Sequence, residues 1–337
     1  MAASIAQGAP LSVGVDVSKA ELMICELYAD DTCRAWTMAN TQAKAQAYAA
    51  ELVRRGFRGR LIVESTGHWQ WPMVLSAVDQ GVDVRLINPL QASRHRQGRV
   101  RKVKTDRVDA EVLAEMALTE RHLPPPFNRS REAIGLRQQL RLISQVERSI
   151  QQLQGTLRAY REACTLADVV PAATLEGLEA SLAALKQQRQ ALAREIEVQA
   201  RRLGPSPVAE AWQRLPGVTS ANAAILASLL DPQASAKGWV AYLGLDISVR
   251  QSGTYRGRGK LTKRGLPYLR KRTYQAGWGA AMNNAAARAY YDALRARGRA
   301  HQEALVIIAR KLIRAAHALM RKPEQPLDLE RLFAIPT

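Results

Sequence analysis

The feature that most constrains the fold is a series of short apolar runs that alternate with helix-like stretches between residues 11 and 118. LSVGVDV alternates and is rich in valine, and ELMICELYA and CRAWTM are further extended runs. Residues 41–55 carry Ala and Leu on one stripe, as an amphipathic helix does, and RLIVES and DVRLINP are short apolar strands. A last helix is predicted over about 105–119.

The order of these elements indicates the fold class. Three strands in a meander are followed by helix, strand, helix, strand and helix, which predicts an α/β domain of the ribonuclease-H-like (RuvC-like) fold over residues 10–125. Pro124, Pro125 and Pro126 then predict a stiff linker.

The middle of the chain has a helical pattern. Residues 130–162 and 173–203 are long, charged and rich in Gln, with Leu and Ile at spacings of three and four, and Pro171 separates them. This pattern predicts an antiparallel helical hairpin or coiled coil within residues 126–204, either as a spacer or as an arm for self-association.

A mostly helical third domain is predicted over residues 205–325. Its expected helices include one from about Pro267 to Asn283 and another from about His301 to Arg321. The run from Leu245 to Gly265 is rich in Gly, basic and without clear periodicity, and is interpreted as an ordered loop.

The charge balance indicates the class of partner. Lys and Arg number 49 against 30 Asp and Glu, a formal net charge of +19, which favours a polyanion. No apolar run approaches the ~18 residues of a membrane span, and the N-terminus lacks the pattern of a signal peptide. The three cysteines form no close pair typical of a zinc site. We therefore expect a cytoplasmic protein without a membrane partner.

Four acidic residues stand out in the first domain. Asp16 lies inside an apolar strand, Glu64 ends another, and Asp106 and Asp109 lie three apart on one helix face. Each has an ordinary structural explanation when taken alone, such as capping a helix or pairing with an Arg. Together they predict a site for Mg²⁺ or Mn²⁺, because carboxylate oxygens suit these ions and two such ions can hold the attacking and leaving oxygens of a phosphodiester.

Basic residues cluster in two segments that we expect to contact nucleic acid. The first leads into the acidic helix, and the second surrounds Ser252 in QSG. Gly217 in LPGV, between two short helices as in a helix-hairpin-helix, is a further candidate for close approach to a phosphate. The candidate nucleic-acid-binding residues are Arg94, Arg96, Arg99, Arg101, Lys102, Lys104, Gly217, Arg256, Arg258, Lys260, Lys263 and Arg264, with Arg250, Arg270, Lys271 and Arg272 close by in the sequence.

The motifs GVDVSK, VESTG, INP, KTDRVDA, LPGV, YLGL with QSG, and LTKRG followed by LRK occur in one order. In this the sequence resembles the insertion-sequence transposases numbered 110 and 1111, which include the Piv-type DNA invertases, over about residues 12–118 and 210–280. The resemblance implies a RuvC-like domain whose DEDD metal site is made by Asp16, Glu64, Asp106 and Asp109, and a C-terminal transposase domain whose nucleophile is Ser252.

The resemblance also implies a function. It is that of a site-specific DNA recombinase of the bacterial nucleoid, which cuts and rejoins donor and target DNA through a covalent phosphoserine and is guided by a structured non-coding RNA. We expect a homo-oligomer, because acids and serine lie on separate domains. Two alternatives stay open: a RuvC-like nuclease in which metal-bound water attacks, and a non-enzymatic nucleic-acid-binding protein whose acids are structural.

Overall fold

The computed structural model describes residues 8–65, 67–97, 105–248, 251–252, 255–256 and 259–335, and of residues 96–97, 251–252 and 255–256 it describes the backbone alone. Contacts divide the chain into an N-terminal unit, Met1–Arg129, and a C-terminal unit, Ser130–Thr337. The first unit ends within a few residues of the predicted boundary at 125, and the predicted division of the remainder at 204 stays a prediction.

The N-terminal unit is built on a five-stranded mixed sheet in the order β3-β2-β1-β4-β5. The strands are β1 (Ser12–Val17), β2 (Glu21–Leu27), β3 (Cys33–Ala39), β4 (Arg60–Glu64) and β5 (Asp83–Ile87). The first three pair antiparallel, as the predicted meander requires, whereas β4 lies parallel to both β1 and β5. The carboxyl ends of β1, β4 and β5 therefore meet at one edge of the sheet.

Helices lie on both faces of this sheet: α1 (Gln42–Arg54), α2 (Trp71–Asp79), α3 (Pro89–Gln97) and α4 (Asp106–Thr119). Val13, Val15 and Val63 face the core shared with α1 and α2. The residues that alternate with them along the strands face α4 on the other side of the sheet. The predicted order of strands and helices is confirmed. The sequence did not predict α3, because the second half of this helix is basic and lacks an apolar stripe.

The helical hairpin is confirmed as α5 (Arg131–Leu166) and α6 (Leu175–Arg202). Near its base, Leu136, Leu140 and Ile196 are buried in the main core of the C-terminal unit. Further out, a separate small cluster that includes Ile150 and Leu182 holds the two helices together. The hairpin is thus anchored in the C-terminal unit at its base and self-packed along its outer part.

The rest of the C-terminal unit is helical: α7 (Pro207–Gln213), α8 (Ser220–Ala227), α9 (Ala236–Tyr242), α10 (Pro267–Asn283), α11 (Ala285–Ala296), α12 (His301–Arg321) and α13 (Leu329–Leu332). The predicted bounds of α10 and α12 are confirmed. Both pack around a core that contains Trp212 and Trp239, neither of which is more than 1% exposed.

The segment from Leu245 to Gly265, which was expected to be an ordered loop, contains short strands that the sequence did not predict. This segment forms short paired strands: β6 (Ile247–Ser248) pairs with β9 (Lys260–Leu261), and β7 (Gln251–Ser252) pairs with β8 (Tyr255–Arg256), both antiparallel. We call these four strands the ribbon. Its strands are two residues long, too short for the alternation of apolar and polar side chains that reveals a strand in a sequence.

In the part of the chain that the structure describes, every helix is too short or too polar to cross a lipid bilayer.

Candidate acidic site and basic surfaces

Asp16 and Glu64 occupy equivalent positions on neighbouring strands. In the parallel pairing of β1 with β4, Val15 lies opposite Val63, so the next residue of each strand is an acid. Both side chains are partly exposed, and the Val17 N–H donates a hydrogen bond of 3.0 Å to Asp16 Oδ1. The register thus brings two carboxylates to adjacent strand ends at one edge of the sheet.

Helix α4 lies directly over β1 because β1 has small residues on that face. Ser12 Oγ donates a hydrogen bond of 2.8 Å to the Ala114 carbonyl, and a Cβ added at Gly14 would lie only 2.0 Å from the Ala110 carbonyl oxygen. These two contacts show that α4 runs antiparallel to β1, because two residues forward along the strand correspond to four residues back along the helix. This ratio fits the rises of about 3.3 Å per strand residue and about 1.5 Å per helical residue. Two residues beyond Gly14 and four residues before Ala110, Asp16 and Asp106 therefore lie at the same level.

The same reasoning links Asp109 to Glu64. Ile62 on β4 packs in one cluster with Leu113 and Met116 of α4. Glu64 is two residues beyond Ile62 on the same face, and Asp109 is one helical turn before Leu113. Asp109 is buried, at 8% exposure, whereas Asp106 is exposed at the start of the helix. Thr105 caps that first turn by accepting a hydrogen bond of 3.3 Å from the Val108 N–H.

The four acids share one edge and one face of the sheet, but their side chains are not closed around a common point. Among the described residues, no group of three or more His, Cys, Asp or Glu side chains is gathered in a way that could hold a metal ion. The four side chains are nevertheless of the chemical type that Mg²⁺ or Mn²⁺ prefers, because each offers hard carboxylate oxygens.

The first basic segment is only partly described. Arg94 lies exposed on α3, which leads out of β5 on the side of the sheet edge that carries the acids. The side chain of Arg96 and the whole of Arg99, Arg101, Lys102 and Lys104 lie outside the described residues. The expected contact of this segment with phosphates therefore stays a prediction.

The second basic segment divides into two groups. Lys260, Lys263 and Arg264, at the end of the ribbon and just beyond it, are exposed. Lys271 and Arg272, on α10, instead form ion pairs with the hairpin, at 2.8 Å to Glu147 and 3.5 Å to Glu197. The first group remains available to a polyanion, whereas the second group helps to hold the hairpin against α10.

Arg270 differs from both groups because it is half-buried beneath the base of the ribbon. Its Nη1 donates a hydrogen bond of 3.3 Å to the Gly265 carbonyl, and burial lowers the pKa of its guanidinium. Its position favours a role in supporting the ribbon.

Ser252 lies on β7, where its backbone pairs with Tyr255. Its side chain and that of Arg256 are not among the described atoms, and Arg250 and Arg258 lie outside the described residues altogether. The expected nucleophile therefore lies on a paired strand of the ribbon.

Gly217 has a packing role that the sequence did not reveal. Its φ is +74°, and a Cβ there would lie 2.2 Å from the Ala280 nitrogen and 2.4 Å from the Gly279 carbonyl carbon. Only glycine satisfies both the backbone angle and the close approach to α10. Its expected contact with a phosphate stays a prediction.

Comparison with known proteins identifies the family. Residues 13–162 match the sequence model DEDD_Tnp_IS110, described as a transposase, and residues 209–292 match that of the transposase IS116/IS110/IS902 family. Together these two matches cover most of the chain. The chain belongs to the IS110 family of transposases.

This IS110-family chain is 31% identical over 160 residues to the "Insertion element IS110 uncharacterized 43.6 kDa protein" of Streptomyces coelicolor. The alignment covers 47% of this chain and spans only 38% of that relative's length. Among solved structures, T. thermophilus RuvC in complex with a Holliday junction substrate matches with 12% identity and a TM-score of 0.27, over 34% of this chain and 97% of that one. A TM-score this low does not establish a shared fold.

Sequence reasoning missed residues that lie at the same edge of the sheet as the acids. Asn40 follows β3, Lys19 follows β1, and His68 and Trp69 follow β4. The signal that could have found them is the aromatic residue in GHW, a few residues beyond Glu64, where an apolar ring has no strand or helix face to pack against.

Proposed function

We propose that this IS110-family chain is a DNA transposase that cuts and rejoins donor and target DNA. The observation that carries the proposal is the register of β1 with β4, which sets Asp16 beside Glu64 under the first turn of α4. The order and pairing of the five strands further support a ribonuclease-H-like domain.

Asp16, Glu64, Asp106 and Asp109 would hold the divalent metal. When bound, Mg²⁺ supplies positive charge that stabilises the phosphodiester transition state and its leaving oxygen. The protein's own contribution is to fix the carboxylates on two strands and a helix whose spacing is set by the Gly14–Ala110 contact. Lys260, Lys263 and Arg264 would hold the sugar-phosphate backbone through their charges.

We propose Ser252 as the nucleophile of strand transfer. Its Oγ would form a bond to the phosphorus while a P–O bond of the DNA breaks, the hydroxyl proton would pass to a base, and the departing oxygen would take up a proton. The covalent ester keeps the energy of the broken phosphodiester, so a second DNA hydroxyl can displace Ser252 without ATP. The acids and Ser252 belong to different units, so we further propose a homo-oligomer. The resemblance to the family is the ground on which we also propose a structured non-coding guide RNA that selects the DNA.

Metal binding by the acids can be tested with Asp16→Asn, which keeps the shape of the side chain and removes its charge. We expect loss of Mg²⁺-dependent strand cleavage with nearly unchanged folding and DNA binding. Asp30→Asn is the matched control, because Asp30 lies in the β2–β3 turn at the opposite edge of the sheet. Full cleavage by Asp16→Asn, or by the wild-type protein in EDTA, would show that the acids are structural.

The nucleophile can be tested on a denaturing gel with labelled DNA and Mg²⁺. The wild-type protein should give a labelled band at the mass of the protein, Ser252→Ala should not, and Ser248→Ala on β6 is the control within the ribbon. Free cut ends in equal yield from wild-type protein and Ser252→Ala would indicate the alternative function, a nuclease in which water attacks. Wild-type protein that binds DNA but neither cuts it nor becomes attached to it would indicate a non-enzymatic binding protein.

A further inference from the structure

One side chain links two turns at the edge of the sheet that carries Asp16 and Glu64. Asn40 Nδ2 donates hydrogen bonds of 2.8 Å to the Ser18 carbonyl and 3.0 Å to the Trp69 carbonyl. The first acceptor lies in the β1–β2 turn and the second in the segment between β4 and α2. These two segments directly follow β1 and β4, which carry Asp16 and Glu64 at or next to their last residues, so Asn40 fixes the separation of the two segments beside these acids.

The β1–β2 turn is itself well defined. Ser18 Oγ donates a hydrogen bond of 2.8 Å to the Glu21 carbonyl and accepts one of 3.0 Å from the Glu21 N–H. The Ser18 N–H donates to the same carbonyl at 3.0 Å. The backbone that carries Lys19 is thereby held in one conformation, although the Lys19 side chain is exposed.

Three exposed side chains project from these two segments. The Lys19 ammonium lies 5.6 Å from the centroid of the Trp69 ring, within the range of a cation–π contact. The His68 ring lies 4.2 Å from the Trp69 ring, tilted by 40°. Trp69 is 36% exposed, so this indole is partly in solvent beside two cationic or polar groups. We call Lys19, His68 and Trp69 the rim.

The composition of the rim matches one kind of ligand. Exposed aromatic rings offer a stacking surface for an unpaired base, and a lysine beside them offers a charge for the adjoining phosphate. A base paired within a duplex would not expose a face to Trp69, whereas a strand opened at the point of cleavage would. The acids Asp16 and Glu64 lie directly beside this surface in the sequence and in the sheet.

We propose that the rim binds an unpaired stretch of the DNA strand that is to be cut, with a base on the rings of Trp69 and His68 and a phosphate on Lys19. Asn40 is a positioning residue, because it touches only the backbone of the two rim segments. This inference rests on the proposed function, since it assigns the rim to the strand that enters the acidic site.

Binding to single-stranded DNA tests the proposal without any chemistry. The probe is a short fluorescein-labelled oligodeoxythymidine, titrated in EDTA so that no strand is cut, and the readout is fluorescence anisotropy over a range of salt concentrations. Trp69→Ala should weaken binding at least about fivefold, because stacking on an aromatic side chain contributes roughly 1–3 kcal/mol per base. Lys19→Met should reduce the slope of log K against log salt by about 0.7, the value for one phosphate of a single strand.

Matched variants separate the rim from the rest of the surface. Trp278→Ala removes another exposed Trp, on α10, and Arg58→Met removes an exposed charge before β4, at the opposite edge of the sheet. Both should bind the probe as wild type does. Asn40→Ala should lower affinity while leaving the salt slope unchanged, because Lys19 keeps its charge. If Asn40→Ala lowers only the melting temperature, its positioning role is refuted.

The proposal is overturned if Trp69→Ala and Lys19→Met, both folded by circular dichroism, bind the probe within twofold of wild type with an unchanged salt slope. Its failure is distinguishable from failure of the proposed function. Loss of cleavage in Asp16→Asn together with normal binding by the rim variants would refute DNA binding by the rim and leave the metal mechanism standing. Weakened binding by the rim variants together with full cleavage by Asp16→Asn would support DNA binding by the rim and refute the metal mechanism.

Discussion

Substituting Gly14 by Ala tests the contact that sets the acidic site. A Cβ at this position would lie 2.0 Å from the Ala110 carbonyl oxygen and 2.4 Å from the Ala114 nitrogen. Both atoms belong to the backbone of α4, so no side-chain rotation can relieve the clash. Either α4 must move away from β1 or β1 must bend away from α4.

The size of the displacement follows from ordinary contact distances. Bringing the Ala110 oxygen from 2.0 Å to a normal contact of 3.4 Å separates helix and strand by about 1.4 Å. Inserting a methyl group into a packed core costs about 1–3 kcal/mol of unfolding free energy. Misplacing catalytic groups by about 1 Å costs on the order of 100-fold in rate, and this displacement separates Asp106 from Asp16.

The assay is urea unfolding followed by circular dichroism, together with the rate of Mg²⁺-dependent strand cleavage. Gly14→Ala should unfold at lower urea and cleave on the order of 100-fold more slowly, even where it is fully folded. Gly8→Ala is the control in the same unit, because no described atom lies within 4 Å of its added Cβ. A Gly14→Ala protein with the unfolding midpoint and cleavage rate of wild type would refute this account of how α4 is placed.

Three further predictions concern other parts of the chain. Glu26 is fully buried and pairs with Arg55 at 2.9 Å, so Glu26→Gln should cost about 3–5 kcal/mol of stability in urea unfolding; a loss below 1 kcal/mol would contradict this. Burial, with the neighbouring Cys33, raises the pKa of the Cys25 thiol far above its usual 9.0. The neutral Cys25 thiol should therefore contribute fully to the free energy of unfolding below pH 9, and this contribution should decline as the pH rises further. A maleimide should accordingly label the partly exposed Cys33 before Cys25, as mass spectrometry of peptides would show; equal rates would refute it. Deleting residues 144–192, the outer part of the hairpin, should yield a monomer by light scattering, and an unchanged oligomer would show that the contacts lie elsewhere.

Much of the fold could be predicted because local patterns report on burial. The valine alternation around Asp16, the short apolar strand that ends at Glu64, and the spacing of Leu140 and Ile143 each follow from which side of an element faces the core. The bounds of α12 were predicted correctly because its apolar stripe is continuous over 21 residues. Asp16 and Glu64 stood out by the same means, as charges that interrupt or end apolar runs, whereas Asp106 and Asp109 stood out by their spacing of three on one helix face.

The tertiary structure alone decided how these elements meet. That Val15 pairs with Val63, and so Asp16 lies beside Glu64, depends on strands more than 40 residues apart in the sequence. The pairing of β6 with β9 and the ion pair of Lys271 with Glu147 are likewise non-local, and two-residue strands or exposed charges carry no periodic signal.

The rim shows the same division between sequence and structure. The sequence determined which residues are present and on which elements they lie, because propensity and periodicity act over a few neighbouring residues. Asn40 became informative only when the folded chain brought the Ser18 and Trp69 carbonyls within reach of one amide group. A hydrogen bond depends on distance in space, and distance in space between remote residues is fixed by packing of the whole unit rather than by any local pattern.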